Sequence, residues 1–457
     1  MNVLTFKGLN GRDEFRREKI AERVIDLLTD SIDISPMVID GAWGNGKTEF
    51  CHKLINKFKE EHQTYRLLYV DAFQADHADN PLVTVLSGVI GLLPEDDAKA
   101  TLLKKAMPVV RFFAATASKA LVAHLLKQEA DKLTEDLESR LKDAADQAID
   151  ASVKTLLKDH EESQRNLQAL QSCLKNIAED KPIVIFIDEL DRCRPDFAVQ
   201  MLEVIKHTFN VEGVKFVLIT NLHQLKAAIN HRYGNQVDAQ RYLDKFLKFS
   251  FRLPDFVLER STYDANRVMV AVEHFSTSLD KSLILQETDF PLKKEWLFGF
   301  SSDLIHKNNL SLREVETFLR HLEIYQKISK GLDKSVAKGY QVLHVVGVFI
   351  FCFRPDITDS LIKNNANADA VAGIFGISNL PDFRSKDFYP SQLQSVAIML
   401  AQACPINSEK YSPKSGQKDE INFWANDGYN QFYGVYRQQN SLQPVKDAIL
   451  SLQLSIL

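Results

Sequence analysis

The feature that most constrains this chain is an eight-residue segment, GAWGNGKT, at positions 41–48. It matches the pattern G-x-x-x-x-G-K-[ST], which marks a phosphate-binding loop between a strand and a helix. The flanking residues predict both elements, because MVID (37–40) is short and apolar and EFCHKLINKFKE (49–60) has the periodicity of an amphipathic helix. The segment therefore predicts a polyphosphate site at the junction of a strand and a helix.

Each residue type in this segment has a physical role. The glycines allow positive φ angles, so that backbone N–H groups can turn inward around a polyphosphate, and the helix N-terminus adds a partial positive charge. Lys47 is expected to reach the β- and γ-phosphate oxygens of ATP, and the Thr48 hydroxyl to ligate Mg²⁺. The predicted nucleotide-binding residues are Gly41, Ala42, Trp43, Gly44, Asn45, Gly46, Lys47, Thr48 and Glu49.

Short β-rich runs elsewhere predict an α/β fold with a five-stranded parallel sheet. After MVID come LLYVDAF (67–73), IVIFID (183–188), VKFVLIT (214–220) and KFSFRL (248–253). The runs at 183–188 and 214–220 are almost wholly apolar, as expected for strands that are buried on both faces.

The gap of about 110 residues between the second and third runs is too long for one crossover. It predicts an insertion at about 84–178. From Leu126 to Asp180 the sequence has no Gly or Pro and is typical of helix. This helical insertion either packs on its own domain or makes a coiled-coil contact with a partner.

A phosphate loop also needs acidic residues at the tip of a neighbouring strand, and the run at 183–188 ends in them. Asp188 is expected to hold Mg²⁺, and Glu189 to act as the general base that activates water. Asp191 and Arg192 follow one turn later. They have either a catalytic role or the role of a helix cap with a surface ion pair. Asn221, after the run at 214–220, is either a sensor of the γ-phosphate or a plain turn residue.

The remaining sequence predicts two helical regions. Residues 1–255 are expected to form the NTP-binding domain, 256–330 a helical lid, and 331–457 a mostly helical C-terminal domain with a buried helix at 340–353.

Composition narrows the protein class. The 56 basic and 61 acidic residues give a net charge near −5, which disfavours a nucleic-acid-coating protein. Five separated cysteines without a C-x-x-C pair fit a reducing, cytoplasmic location. No apolar run reaches the ~18 residues of a transmembrane helix. Contact of residues 106–126 with a membrane surface stays open.

Together these segments resemble the KAP family of P-loop NTPases, in the AAA+-like and STAND-like branch of the superfamily. The resemblance covers residues 10–330 in order, apart from the insertion. Besides the loop at 41–48, it lies in YVDAFQADHADNPLV (69–83), IVIFIDELDRCRPDFAVQMLEVIKHTF (183–209), GVKFVLITN (213–221), RYLDKFLKFSFRLP (241–254) and NNLSLREVETFL (308–319).

The resemblance implies an ATPase core of five parallel strands with a helical lid. By carry-over, Lys47 and Thr48 bind nucleotide and Mg²⁺, and Asp188 binds Mg²⁺. By the same carry-over, Glu189 or Asp191 activates water, and Arg192 or Lys245 contacts the triphosphate. Arg313 resembles a lid arginine that senses the γ-phosphate. Many members read D-D-L-D-R where this chain reads D-E-L-D-R, so the choice of base stays open between the two carboxylates.

Bacterial members of the family are linked to exclusion of bacteriophage. The resemblance therefore implies a cytoplasmic ATPase that acts as a molecular switch on a protein partner, or within a homo-oligomer, in anti-phage defence. The alternative is a nucleotide-gated scaffold with little or no hydrolysis.

Overall fold

The computed structural model describes residues 4–7, 11–78, 80–94, 99–106, 155–260, 265–291, 296–381, 391–413 and 441–455. Two compact units make up the chain, Met1–Leu253 and Pro254–Leu457. Most of the predicted insertion, including residues 107–154, lies outside the described residues, and so does nearly all of the apolar stretch at 106–126.

A five-stranded, all-parallel sheet is the centre of the first unit, which confirms the predicted fold class. The strand order is β2-β3-β4-β1-β5. The strands are β1 (Met37–Asp40), β2 (Arg66–Asp71), β3 (Ile183–Asp188), β4 (Val214–Thr220) and β5 (Phe249–Arg252). The fully buried β3 lies between β2 and β4, which explains why its sequence is apolar on both faces.

Helices cover both faces of this sheet. Alternate residues of β3 point to opposite cores, with Ile185 in one apolar cluster and Phe186 in the other. On the Phe186 side lie α1 (Glu18–Thr29) and α2 (Lys47–Glu61). Further described helices of this unit include α3 (Ala72–Ala75), α4 (Pro81–Gly91), α5 (Thr155–Asp180), α6 (Pro195–Thr208), α7 (Leu222–Tyr233) and α8 (Ala239–Leu243).

The second strand ends earlier than the sequence predicts. LLYVDAF was expected to be extended to residue 73, but β2 ends at Asp71. The Asp71 carboxylate accepts a hydrogen bond from the Gln74 backbone N–H at 2.9 Å and caps the short α3. A side chain that supplies this acceptor favours a helical turn over one more extended residue.

The second unit begins with strands, so the expectation that residues 256–330 are purely helical is wrong. Strands β6 (Phe256–Arg260) and β7 (Ala265–Met269) pair antiparallel, with Val257 opposite Val268. β-Branched residues that face each other across a ladder stabilise such a pair. The described residues from 270 to 330 are mostly helical, and the assignment of this region as a lid stays a prediction.

Helices make up most of the described residues in the rest of this unit. They are α9 (Val270–Leu279), α10 (Trp296–Lys307), α11 (Leu312–Ser329), α12 (Lys338–Phe353), α13 (Pro355–Ile362), α14 (Ala368–Ile374), α15 (Gln392–Gln402) and α16 (Gln443–Leu452). The buried helix predicted at 340–353 is confirmed as α12. A domain boundary near residue 330 stays a prediction. Within the described ranges, no helix combines the length and apolar character that a membrane span needs.

Candidate nucleotide-binding site

The parallel topology gathers the predicted site at one edge of the first unit. Because all five strands run in the same direction, their carboxyl ends meet at that edge. The register pairs Asp40 of β1 with Thr220 of β4, and Asp188 of β3 with Asp71 of β2. The phosphate loop leaves β1 at this edge, beside the acidic end of β3.

The loop has the backbone conformation that its glycines permit. Gly44 and Gly46 have φ angles of 77° and 73°, and α2 begins directly after them at Lys47. The Lys47 ammonium donates hydrogen bonds to the carbonyl oxygens of Gly41 at 2.7 Å and Ala42 at 3.0 Å. A Cβ atom at Gly41 would lie 3.2 Å from the Lys47 side chain, so a larger residue there would crowd the lysine. The lysine thus lies folded over the loop itself.

Burial and nearby carboxylates act on the charge of Lys47 in opposite directions. Burial lowers the pKa of the Lys47 ammonium, and the negative charges of Asp191, Asp188 and Asp40 oppose this shift. A buried cation surrounded by three acidic groups has favourable partners only while those groups are ionised. The same positive charge is available for the oxygens of a polyphosphate.

Asp188 is a buried acidic residue whose two carboxylate oxygens both accept hydrogen bonds. It is only 1% exposed, its Oδ2 accepts a hydrogen bond from the Tyr69 hydroxyl at 3.2 Å, and its Oδ1 accepts one from the Glu189 N–H at 2.8 Å. The Thr48 hydroxyl also donates to this carboxylate. Burial raises the pKa of Asp188, and these hydrogen bonds oppose the rise. A hydroxyl and a carboxylate in contact fit the hard oxygen ligands that Mg²⁺ prefers.

Glu189 has a strained backbone and an ion-pair partner. Its φ angle is 59°, in the left-handed region that residues other than glycine rarely adopt. Its Oε1 lies 2.9 Å from Nη2 of Arg192. Burial raises the pKa of the Glu189 carboxyl, and the Arg192 charge opposes this rise. Glu189 is therefore a carboxylate at the strand end with increased basicity.

The described contacts of Asp191 are not those of a helix cap or of a surface ion pair. The Trp43 indole N–H donates to its Oδ2, and the Thr220 hydroxyl donates to its Oδ1 at 3.1 Å. Asp191 lies in the 3₁₀ turn Leu190–Arg192. It links this turn to the phosphate loop and to the end of β4.

Two further predicted residues of this unit have local partners. The Asn221 Oδ1 accepts hydrogen bonds from His223 N at 3.0 Å and from Gln224 N at 3.4 Å, so the side chain caps α7 at the edge of the site. Glu49 forms ion pairs with Arg12 and Lys53, which lower the pKa of its carboxyl to about 2.

The structure does not bring Lys245 to the phosphate loop. The Lys245 carbonyl accepts a hydrogen bond at 2.9 Å from Nζ of Lys206, a residue in the last turn of α6. Lys245 also lies shortly before the start of β5. Both neighbours belong to the amino edge of the sheet. Arg313 lies in the first turn of α11, in the second unit, and its sensor role stays a prediction.

Three residues that contact the site were not singled out from the sequence. Tyr69 and Thr220 hold the carboxylates described above, and the buried Arg17 donates from Nη1 to the Asn45 carbonyl at 2.9 Å. The sequence could have indicated Thr220, because it is a polar residue at the end of an otherwise apolar strand. No comparable signal exists for Arg17, because its contact depends on where the N-terminal segment packs.

Comparison with known proteins agrees with this geometry. The sequence profile described as "KAP family P-loop domain" matches residues 17–329, more than half of the chain. The chain belongs to the KAP family of P-loop NTPases. The match begins at Arg17, which supports the phosphate loop, and ends at the last residue of α11.

Other comparisons of this KAP protein are less informative. No curated protein sequence matches it. One similar solved structure is that of the ORC2 protein of Aeropyrum pernix in ADPNP and ADP complexes, at 13% sequence identity and a TM-score of 0.32. The alignment covers 96% of this chain and 94% of that one. Because this TM-score is low, the fold is assigned from the sheet order and the family match. As a KAP protein, the chain is a nucleotide-binding NTPase.

Proposed function

We propose that this KAP protein is a Mg²⁺-dependent ATPase whose hydrolysis cycle switches a partner. The observation that carries the proposal is the convergence of Lys47, Asp188 and Glu189 at one edge of the sheet, beside a loop of phosphate-binding conformation. A cation for the phosphates, a buried carboxylate beside a hydroxyl, and a basic carboxylate are the groups that phosphoryl transfer to water requires.

Binding of ATP requires Lys47 to exchange partners. Its ammonium leaves the carbonyls of Gly41 and Ala42 and bonds to the β- and γ-phosphate oxygens. The loop N–H groups and the N-terminus of α2 then face the phosphates. Thr48 and Asp188 would hold Mg²⁺, which when bound neutralises charge on the phosphate oxygens. Tyr69 keeps the Asp188 carboxylate oriented through its 3.2 Å hydrogen bond.

Hydrolysis then depends on Glu189. Its carboxylate accepts a proton from water as the water oxygen bonds to the γ-phosphorus and the bond from that phosphorus to the ADP oxygen breaks. The raised pKa of Glu189 strengthens it as a base. The Arg192 guanidinium lies 2.9 Å from Oε1, where it orients the carboxylate, and rotation of its one-third exposed side chain would bring it toward the triphosphate.

Phosphate release by the purified protein tests this proposal. We expect release from Mg·ATP, and a loss of about 100-fold or more when EDTA removes the metal, because charge neutralisation by Mg²⁺ contributes several kcal/mol to such reactions. The assay is continuous detection of inorganic phosphate. Restoration by added Mg²⁺ controls for irreversible damage. Turnover that is unchanged in EDTA would contradict the proposal.

A nucleotide-gated scaffold is the second candidate. It is favoured by the large part of the chain that carries no predicted catalytic residue, namely the insertion at about 84–178 and residues 331–457. This alternative predicts that ATP raises the melting temperature or changes the assembly state without phosphate release. The same preparation distinguishes the two candidates in a thermal shift assay that is run beside the phosphate assay.

The cellular role that we propose is anti-phage defence in the bacterial cytoplasm, through a protein partner or a homo-oligomer. It is supported by family resemblance alone. Expression of the wild-type chain in a bacterial host should lower the plating efficiency of at least some phages, and the Lys47→Ala variant should not. Equal protection by both chains would show that nucleotide binding is not needed for defence.

A further inference from the structure

The third residue of the phosphate loop is held by a contact that the loop pattern itself does not require. The indole N–H of Trp43 donates to Oδ2 of Asp191, while Trp43 as a residue is 48% exposed. Packing does little to fix an indole with so much exposed surface. The hydrogen bond to an ionised carboxylate therefore determines where the ring lies.

Asp191 is fixed in turn by the sheet. Its Oδ1 accepts a hydrogen bond from the Thr220 hydroxyl at 3.1 Å. Thr220 is fully buried at the end of β4, where it pairs with Asp40 of β1. Leu190, beside Asp191, is also fully buried. Two hydrogen bonds in series thus connect the rigid end of β4 to the phosphate loop.

This arrangement separates the roles of the two candidate bases. The hydrogen bonds to Oδ1 and Oδ2 orient the Asp191 carboxylate toward Thr220 and Trp43, whereas a general base needs an oxygen directed at the water that it deprotonates. Glu189 is instead paired with Arg192, whose long side chain is one-third exposed and can move aside. The geometry therefore favours Glu189 as the base and leaves Asp191 with another task.

We infer that Asp191, held by Thr220, is a positioning residue that anchors Trp43 and so fixes the phosphate loop relative to the turn that carries Glu189. A loop that is fixed before ATP arrives loses less conformational freedom on binding, so nucleotide affinity rises. The inference rests on the proposed ATPase function for its catalytic meaning. The tether itself and its effect on nucleotide affinity do not depend on turnover.

Fluorine NMR with 5-fluorotryptophan observes the tether directly. The chain has three tryptophans, and the resonance that disappears in Trp43→Phe belongs to the loop. Thr220→Val removes the hydroxyl at nearly constant shape, and Thr220→Ser restores it. We expect Thr220→Val to shift or broaden the Trp43 resonance and to weaken nucleotide binding about 10-fold, the effect of losing one hydrogen bond to a charged group. Thr220→Ser should restore both.

Asp191→Asn provides the second comparison, because it keeps the size of the side chain but loses one acceptor. The anchoring role predicts a shifted Trp43 resonance and weaker nucleotide binding, as in Thr220→Val. The inference is overturned if Thr220→Val keeps the wild-type resonance and affinity. It is also overturned if Asp191→Asn keeps both but loses about 100-fold or more in turnover, as a general base would. Absence of turnover in the wild type would refute the proposed function and leave the NMR and affinity results interpretable.

Discussion

Replacing Glu189 by Gln is expected to stop phosphate release while nucleotide stays bound. Glutamine has nearly the same shape but cannot accept the proton of the attacking water, so turnover should fall by about 10²- to 10⁴-fold. The phosphate loop, Lys47 and Asp188 are unchanged in this variant. Binding of a fluorescent ATP analogue should therefore stay within a few-fold of wild type when it is measured beside the phosphate assay.

Glu212→Gln is a matched control for this prediction. Glu212 is 80% exposed and pairs with Lys175 on α5, so the same chemical change there should leave turnover intact. Wild-type turnover in Glu189→Gln would contradict the assignment of the base. If turnover were lost only in Asp191→Asn, the order of the two carboxylates would be reversed, and the anchoring role of Asp191 would fail with it.

Lys47→Ala is expected to abolish tight nucleotide binding. The ammonium is buried, and three carboxylates lie near enough to oppose the fall of its pKa, so its removal leaves the site with an excess of negative charge facing a triphosphate. Losing one partner of a buried charge pair costs several kcal/mol, which corresponds to a roughly 100-fold or larger loss of affinity. Isothermal titration calorimetry with Mg·ATP measures the effect.

Lys175→Ala is the control for charge removal as such. Lys175 is 45% exposed on α5 and should tolerate the change without loss of affinity. Without nucleotide, Lys47→Ala should melt at a lower temperature than the wild type, because it loses buried hydrogen bonds and leaves nearby carboxylates without their counter-charge. Circular dichroism at the assay temperature therefore has to show that the variant is folded. Wild-type affinity in a folded Lys47→Ala variant would contradict the proposed site.

The sequence predicted the elements whose signals are local. The strands β1, β3 and β4 begin and end at the predicted residues, because an apolar run bounded by polar or glycine residues reports burial directly. The pair β6–β7 was missed for the opposite reason. Each strand has only five residues, and neither is stable until its valines face the other strand. Pairing between segments is not visible in either segment alone.

Prediction of the site had a similar limit. Trp43 and Asp191 were candidates from the sequence and Thr220 was not, because which side chain contacts which depends on the strand order that places β4 between β1 and β3. Lys245 could have been placed from the sequence, since it precedes the predicted strand at 248–253 and the start of a parallel strand lies at the edge opposite the site. The convergence of Asp188 and the loop was predictable, because both follow strand ends in a parallel sheet.

The strand order also has a consequence for biosynthesis. Strand β1 is flanked by β4 and β5, and its first residue, Met37, pairs with Val217 and Phe249. At typical synthesis rates of roughly 5–20 residues per second, β1 leaves the ribosome on the order of 10–40 s before either neighbour. During that interval β1 can pack against α1 and α2 on one of its faces, but neither of the strands that pair with it has been made. We therefore expect the nascent chain to be unable to retain nucleotide, and most open to proteases or chaperones, until the ribosome has released β4.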